Sequence, residues 1–108
     1  MEDASMMARR QDIVIDGEVF TTQVEARERF RSILYKYRIG ETIDAADSQF
    51  MTSALQRHPE AATKIGFGIQ SFEVRAADYG TRCFWVIRVD GTAEKFSFNA
   101  CYKQASTT

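Results

Sequence analysis

One histidine, His58, two cysteines, Cys83 and Cys101, and a scatter of carboxylates are the groups from which catalysis or metal binding would have to be built in this chain. Nucleophilic chemistry needs a thiol with a base held beside it. Cys83 opens a β-prone run with its side chain on the apolar face, where a small thiol serves as packing, and Cys101 stands near the C-terminus with nothing adjacent to activate it. A structural zinc site wants four ligands at short paired spacings, which these three residues do not supply. Metal-assisted phosphodiester cleavage needs clustered carboxylates, and Asp44 with Asp47 reads instead as charge at the start of a helix. The glycines at 66 and 68 lack the strand-loop-helix setting of a phosphate loop and read as turn residues. The expectation is a noncatalytic protein with no metal and no cofactor.

The cations offer a different chemistry. His58, beside Pro59, either caps the last carbonyls of a helix or reads a polar ligand together with Arg57 and Lys64. Arg82, Arg88 and Lys95 either keep an edge hairpin soluble or form a phosphate-binding strip, with Phe84 and Tyr79 as stacking platforms. The second alternative is the arrangement that holds single-stranded RNA.

Composition limits the setting. A chain of 108 residues, 44% hydrophobic and 27% charged, is expected to form one domain with its own core. A net charge of -1 excludes a polycation that coats nucleic acid, leaving only a local basic face. No apolar run approaches the roughly 18 residues of a membrane span. Two cysteines do not make a disulfide framework, and they point to a reducing, cytoplasmic compartment. Glu2 and Asp3 in a leader without an apolar stretch argue against a signal or transit peptide. Residues 1–10 read as a frayed leader, 11–103 as the domain and 104–108 as a frayed tail.

The elements that must position these groups follow from local patterns. In DIVIDGEVFT (12–21), two β-prone runs meet at Asp16-Gly17, which suits a type I′ turn. A helix is predicted over 23–38, with Val24, Phe30, Ile33, Leu34 and Tyr37 on one stripe, Thr22 and Glu25 as its capping box and Gly40 as its stop. A second runs from Asp44 to near Arg57, burying Phe50, Met51, Ala54 and Leu55 before Pro59 turns the chain out. Strands follow at 69–75 and 82–89, and Asp90-Gly91 then reads as a second two-residue turn into TAEKFSFNACY. The order ββααβββ predicts an α+β fold, an antiparallel sheet with two consecutive helices packed on one face.

A two-residue turn pairs Val89 with Thr92, Ile87 with Glu94, Trp85 with Phe96 and Cys83 with Phe98. It puts Cys83, Trp85, Ile87, Val89, Phe96 and Phe98 on the core face, and Phe84, Val86, Arg88, Ala93, Lys95 and Ser97 outside. The expected core is Phe30, Ile33, Leu34, Phe50, Leu55, Trp85, Ile87, Phe96 and Phe98.

The segments HPEAATKIGFGI and YGTRCFWVIRVDGTAEKFSFNAC, with VEARERFRSILYKYRIGETI before them, resemble the small domain family typified by the plant plastid DCL (defective chloroplasts and leaves) protein, also catalogued as a family of unknown function. The resemblance runs from about Phe20 to Cys101. It is sharpest at His58-Pro59, Lys64 with Gly66, Arg82-Cys83-Phe84, Asp90-Gly91, and Phe96-Ser97-Phe98 with Cys101. It implies association with RNA: plastid members are linked to ribosomal RNA maturation, and a related domain ends the largest subunit of a plant RNA polymerase. It supplies no catalytic residue. The expected function is therefore a noncatalytic RNA-binding or rRNA-processing accessory domain. The alternative is a protein-interaction module that docks on a larger nucleic-acid machine through the outer side of the last hairpin or an open sheet edge.

Overall fold

The computed structural model describes residues 12–103, so the leader and tail expected at the two ends lie outside the described residues. Asp16 (φ 51°) and Gly17 (φ 80°) both adopt the positive φ of a type I′ turn and join β1 (Ile13–Ile15) to β2 (Glu18–Phe20). Alternation turns Ile13, Ile15 and Phe20 inward. Thr22 then caps α1 (Gln23–Leu34) by accepting from the Glu25 N–H at 3.1 Å, while the Glu25 carboxylate reaches back one residue further, to the N–H and hydroxyl of Thr21.

Helix α1 stops four residues short of the expected end. The Lys36 N–H turns back to the Ile33 carbonyl, and Tyr37 points inward, its hydroxyl donating to Asp47 at 2.7 Å. Asp47 belongs to α2 (Ala45–Leu55), whose cap Asp44 accepts from the Asp47 N–H at 2.9 Å. Gly40 is not the helix stop. It lies with residues 41–43 along a sheet edge, where Gly40 donates to the Val74 carbonyl at 2.6 Å and Ile43 to that of Phe72 at 2.9 Å.

Burial by itself raises the Asp47 carboxyl, but hydrogen bonds from Lys36 and Tyr37 outweigh it and hold the group below the usual carboxylate range. A depressed folded value contributes stability above the unfolded pKa, and that contribution is lost as pH falls through the folded one. Asp47→Asn is therefore expected to melt below the parent at pH 7, with the gap closing below about pH 4. Parallel melts at both pH values test this, and a gap independent of pH would contradict it.

A short helix not anticipated from sequence, α3 (Ala61–Ile65), follows Pro59. The chain then builds the antiparallel sheet β3 (Ile69–Ala76), β4 (Arg82–Arg88) and β5 (Ala93–Phe96), with β4 central. It ends in a second unanticipated helix, α4 (Asn99–Tyr102), where the sequence read strand. The α+β class stands, and the ββααβββ order holds apart from those two short helices, with β1 and β2 forming a separate two-stranded sheet.

The register of the last hairpin differs from expectation by one residue. Arg88 donates to the Thr92 carbonyl at 2.8 Å and Gly91 (φ 90°) to the Arg88 carbonyl at 2.9 Å, so the loop holds three residues, Val89, Asp90 and Gly91. Phe84 therefore pairs with Phe96 and Trp85 with Lys95, and because side chains alternate, the faces of β4 exchange. Phe84 and Val86 enter the core with Phe72, Val74 and Phe96. Cys83, Trp85 and Ile87 lie on the outer face, partly shielded, and Val89 is exposed in the loop.

The expected core residues Phe30, Ile33, Leu34, Phe50, Leu55 and Phe96 are buried, and Phe98 packs against them. Rings in contact run from Phe20 through Phe50, Phe30, Phe98, Phe84 and Phe96 to Phe72, centroids 5.3–6.3 Å apart, tying hairpin, helices and sheet into one core.

Candidate nucleic-acid interface

Strand β5 pairs only with Phe84–Ile87 of β4 and then leaves the sheet, so Arg82 and Cys83 have no strand on that side. A cleft of about 650 Å³ opens there. The turn after α2 brings His58 to it, α3 brings Lys64, β4 brings Arg82 and Cys83, and β5 brings Glu94, Lys95 and Phe96, with Phe98 beyond. Three cations, one carboxylate and two phenylalanines line it. That combination suits a phosphate attached to a flat apolar group.

Four of the candidate residues thus meet in one place. His58 Nδ1 accepts from the Glu60 N–H at 3.0 Å, so its side chain closes the turn at Pro59 and does not cap the helix carbonyls. Burial, reinforced by the nearby Lys64 ammonium, lowers its pKa and favours the neutral imidazole. Lys64 Nζ sits 2.7 Å from Glu94, whose carboxyl is held low by the Lys64 and Arg88 hydrogen bonds, and 3.4 Å from the Lys95 carbonyl. Arg82 donates to the carbonyls of Tyr37 (2.7 Å) and Leu34 (3.3 Å) and lies over the Tyr35 ring, fastening the end of α1 while it lines the cleft. The Lys95 side chain is exposed and has no side-chain partner among the described residues.

The other four fall elsewhere. Phe84 is wholly buried, so the expected stacking platform on the hairpin does not exist; the one-residue register shift turned it inward. Arg88 shares its face and is fully engaged, donating to the carbonyls of Lys64 and Thr63, the Thr92 hydroxyl and the Glu94 carboxylate. It binds α3 to the hairpin, and Gly66 makes room for it: a Cβ there would stand 3.0 Å from Arg88 Cδ. Arg57 donates to the Cys101 carbonyl at 2.7 Å, away from the cleft. Tyr79 is exposed at the tip of the β3–β4 turn, whose bases, Ala77 and Thr81, both line the cleft.

Glu94 is the site residue that sequence reasoning missed. The two-residue turn paired it with Ile87; the three-residue loop pairs it with Val86 and brings Arg88 onto its face, with Lys64 also within reach.

The cysteines are both free: Cys83 is half-buried in the cleft wall, contrary to its expected core position, and Cys101 is sealed in the core, where burial pushes its thiol up to about 12. Among the described residues no group of three or more His, Cys, Asp or Glu side chains is placed to hold a metal ion, and no helix is long and apolar enough to cross a membrane.

Residues 31–102 match the family described as Protein of unknown function (DUF3223). The chain is 36% identical over 75 residues, 68% of its length, to DNA-directed RNA polymerase IV subunit 1 of Arabidopsis thaliana. It is 31% identical over 87 residues, 79% of its length, to Protein EMBRYO DEFECTIVE 514 of the same plant. The chain spans 5% of the first protein and 43% of the second. The solution NMR structure of an uncharacterized protein from Rhodospirillum rubrum superposes with a TM-score of 0.82 at 45% identity, covering 88% of this chain and 91% of that one.

Proposed function

Because this chain belongs to the DUF3223 family, we propose that it is a noncatalytic RNA-binding or rRNA-processing accessory domain of the DCL type. The observation that carries this reading is the convergence of His58, Lys64, Arg82 and Lys95, from separate stretches of sequence, on one cleft that two phenylalanines also line. The relative that is an RNA polymerase subunit supports a nucleic-acid setting. A binding role is supported by the engagement of the imidazole Nδ1 by the Glu60 N–H and of the cleft's single carboxylate by Lys64 and Arg88.

The test is RNA binding across a salt series, with Lys95→Gln beside the parent. Removing one phosphate contact is expected to weaken binding alike for all sequences and to flatten the salt dependence by about one unit of slope. No binding by the parent at low salt sinks the proposal. A second reading, a protein-docking module, draws support from Phe67, 87% exposed beside the half-exposed Val89 at the end of the last hairpin. It expects Phe67→Ser, and not Lys95→Gln, to abolish capture of a protein partner.

A further inference from the structure

The β3–β4 turn places a tyrosine where turn chemistry asks for something smaller. Tyr79 has φ 59° and ψ 36°, the left-handed region that suits Gly, Asn or Asp and disfavours an aromatic residue. The comparable position of the β1–β2 turn is filled by Asp16, at φ 51°. Nothing among the described residues accounts for the choice. The Tyr79 side chain is fully exposed, and the turn is closed without it by Ala77 donating to the Thr81 carbonyl at 2.8 Å and by the Thr81 hydroxyl donating to the Asp78 carbonyl at 2.7 Å. Ala77, Thr81 and Arg82 line the cleft, so the turn that carries the ring borders it. A backbone held in a disfavoured conformation to present a bare ring beside a charged cleft is a feature of binding surfaces.

We infer that Tyr79 stacks on an unpaired nucleobase of an RNA strand whose phosphate lies in the cleft. The inference rests on the RNA reading above and narrows it to single-stranded RNA, because bases inside a duplex are already stacked and present no free face. Arg82 and Lys95 take the phosphate, and the ring, free of packing, takes the neighbouring base. Stacking is sequence-tolerant, so the contact selects strandedness and not sequence.

The experiment compares the parent with Tyr79→Asn and Tyr79→Phe, measuring melting temperature and affinity for one RNA as a single strand and as a blunt duplex, at fixed salt. Tyr79→Asn is expected to melt no lower than the parent, since asparagine tolerates the backbone, yet to bind the single strand at least about fivefold more weakly. Its duplex affinity stays at the parent's value, and Tyr79→Phe binds like the parent. Parent-like single-strand affinity in Tyr79→Asn overturns the inference while leaving the RNA reading in place. Equal loss for strand and duplex also overturns it, as does a lower melt, which makes the ring structural. A parent that binds neither RNA brings down the RNA reading itself, and the inference with it.

Discussion

Phe84→Ala is expected to lower the unfolding free energy by about 3–5 kcal/mol, while Trp85→Phe on the same strand changes it by less than about 1.5 kcal/mol. Phe84 has no solvent exposure and touches Phe96 and Phe98, ring centroids 6.1 and 5.9 Å away, so truncation opens a cavity where the sheet meets the helices. Trp85 lies on the other face, with the Arg75 guanidinium 4.7 Å above its ring and its indole N–H buried without a partner. Phenylalanine keeps most of that packing and removes the unsatisfied donor. Urea unfolding monitored by far-ultraviolet circular dichroism separates the two. If the larger loss came from Trp85, the two-residue turn would be right and the faces of β4 would exchange again.

Arg88→Ala is expected to cost about 2–4 kcal/mol, and Arg88→Lys nearly as much. The guanidinium donates to the last carbonyls of α3, to Thr92 across the hairpin and to Glu94, and an ammonium has no planar fork to span them. The Glu94 end is partly solvated, so most of the loss comes from the orphaned carbonyls and not from the ion pair. Any fall in RNA affinity in these variants should track the melting temperature and leave the salt slope of the folded fraction unchanged. A stable Arg88→Ala with a flatter salt slope would return Arg88 to the phosphate contacts.

What the sequence determined by itself was whatever is decided within a few residues. Asp16-Gly17 specifies a type I′ turn because both positions tolerate positive φ, and Thr22 and Asp44 start helices because a short polar side chain reaches an N–H three residues on. The stripe Phe30, Ile33, Leu34 is a matter of helical period and was equally legible. The Asp90-Gly91 pair is ambiguous at that range, since it fits a two-residue loop or the last two places of a three-residue one. Tertiary packing decided between them. With three residues, Phe84 and Val86 join Phe72 and Val74 against Phe98, and Arg88 and Glu94 come within reach of α3. The candidate site follows from that decision. His58 and Lys64 stand beside Arg82 and Lys95 only because β5 ends short of the start of β4, and where a strand leaves a sheet depends on contacts between segments far apart in the chain.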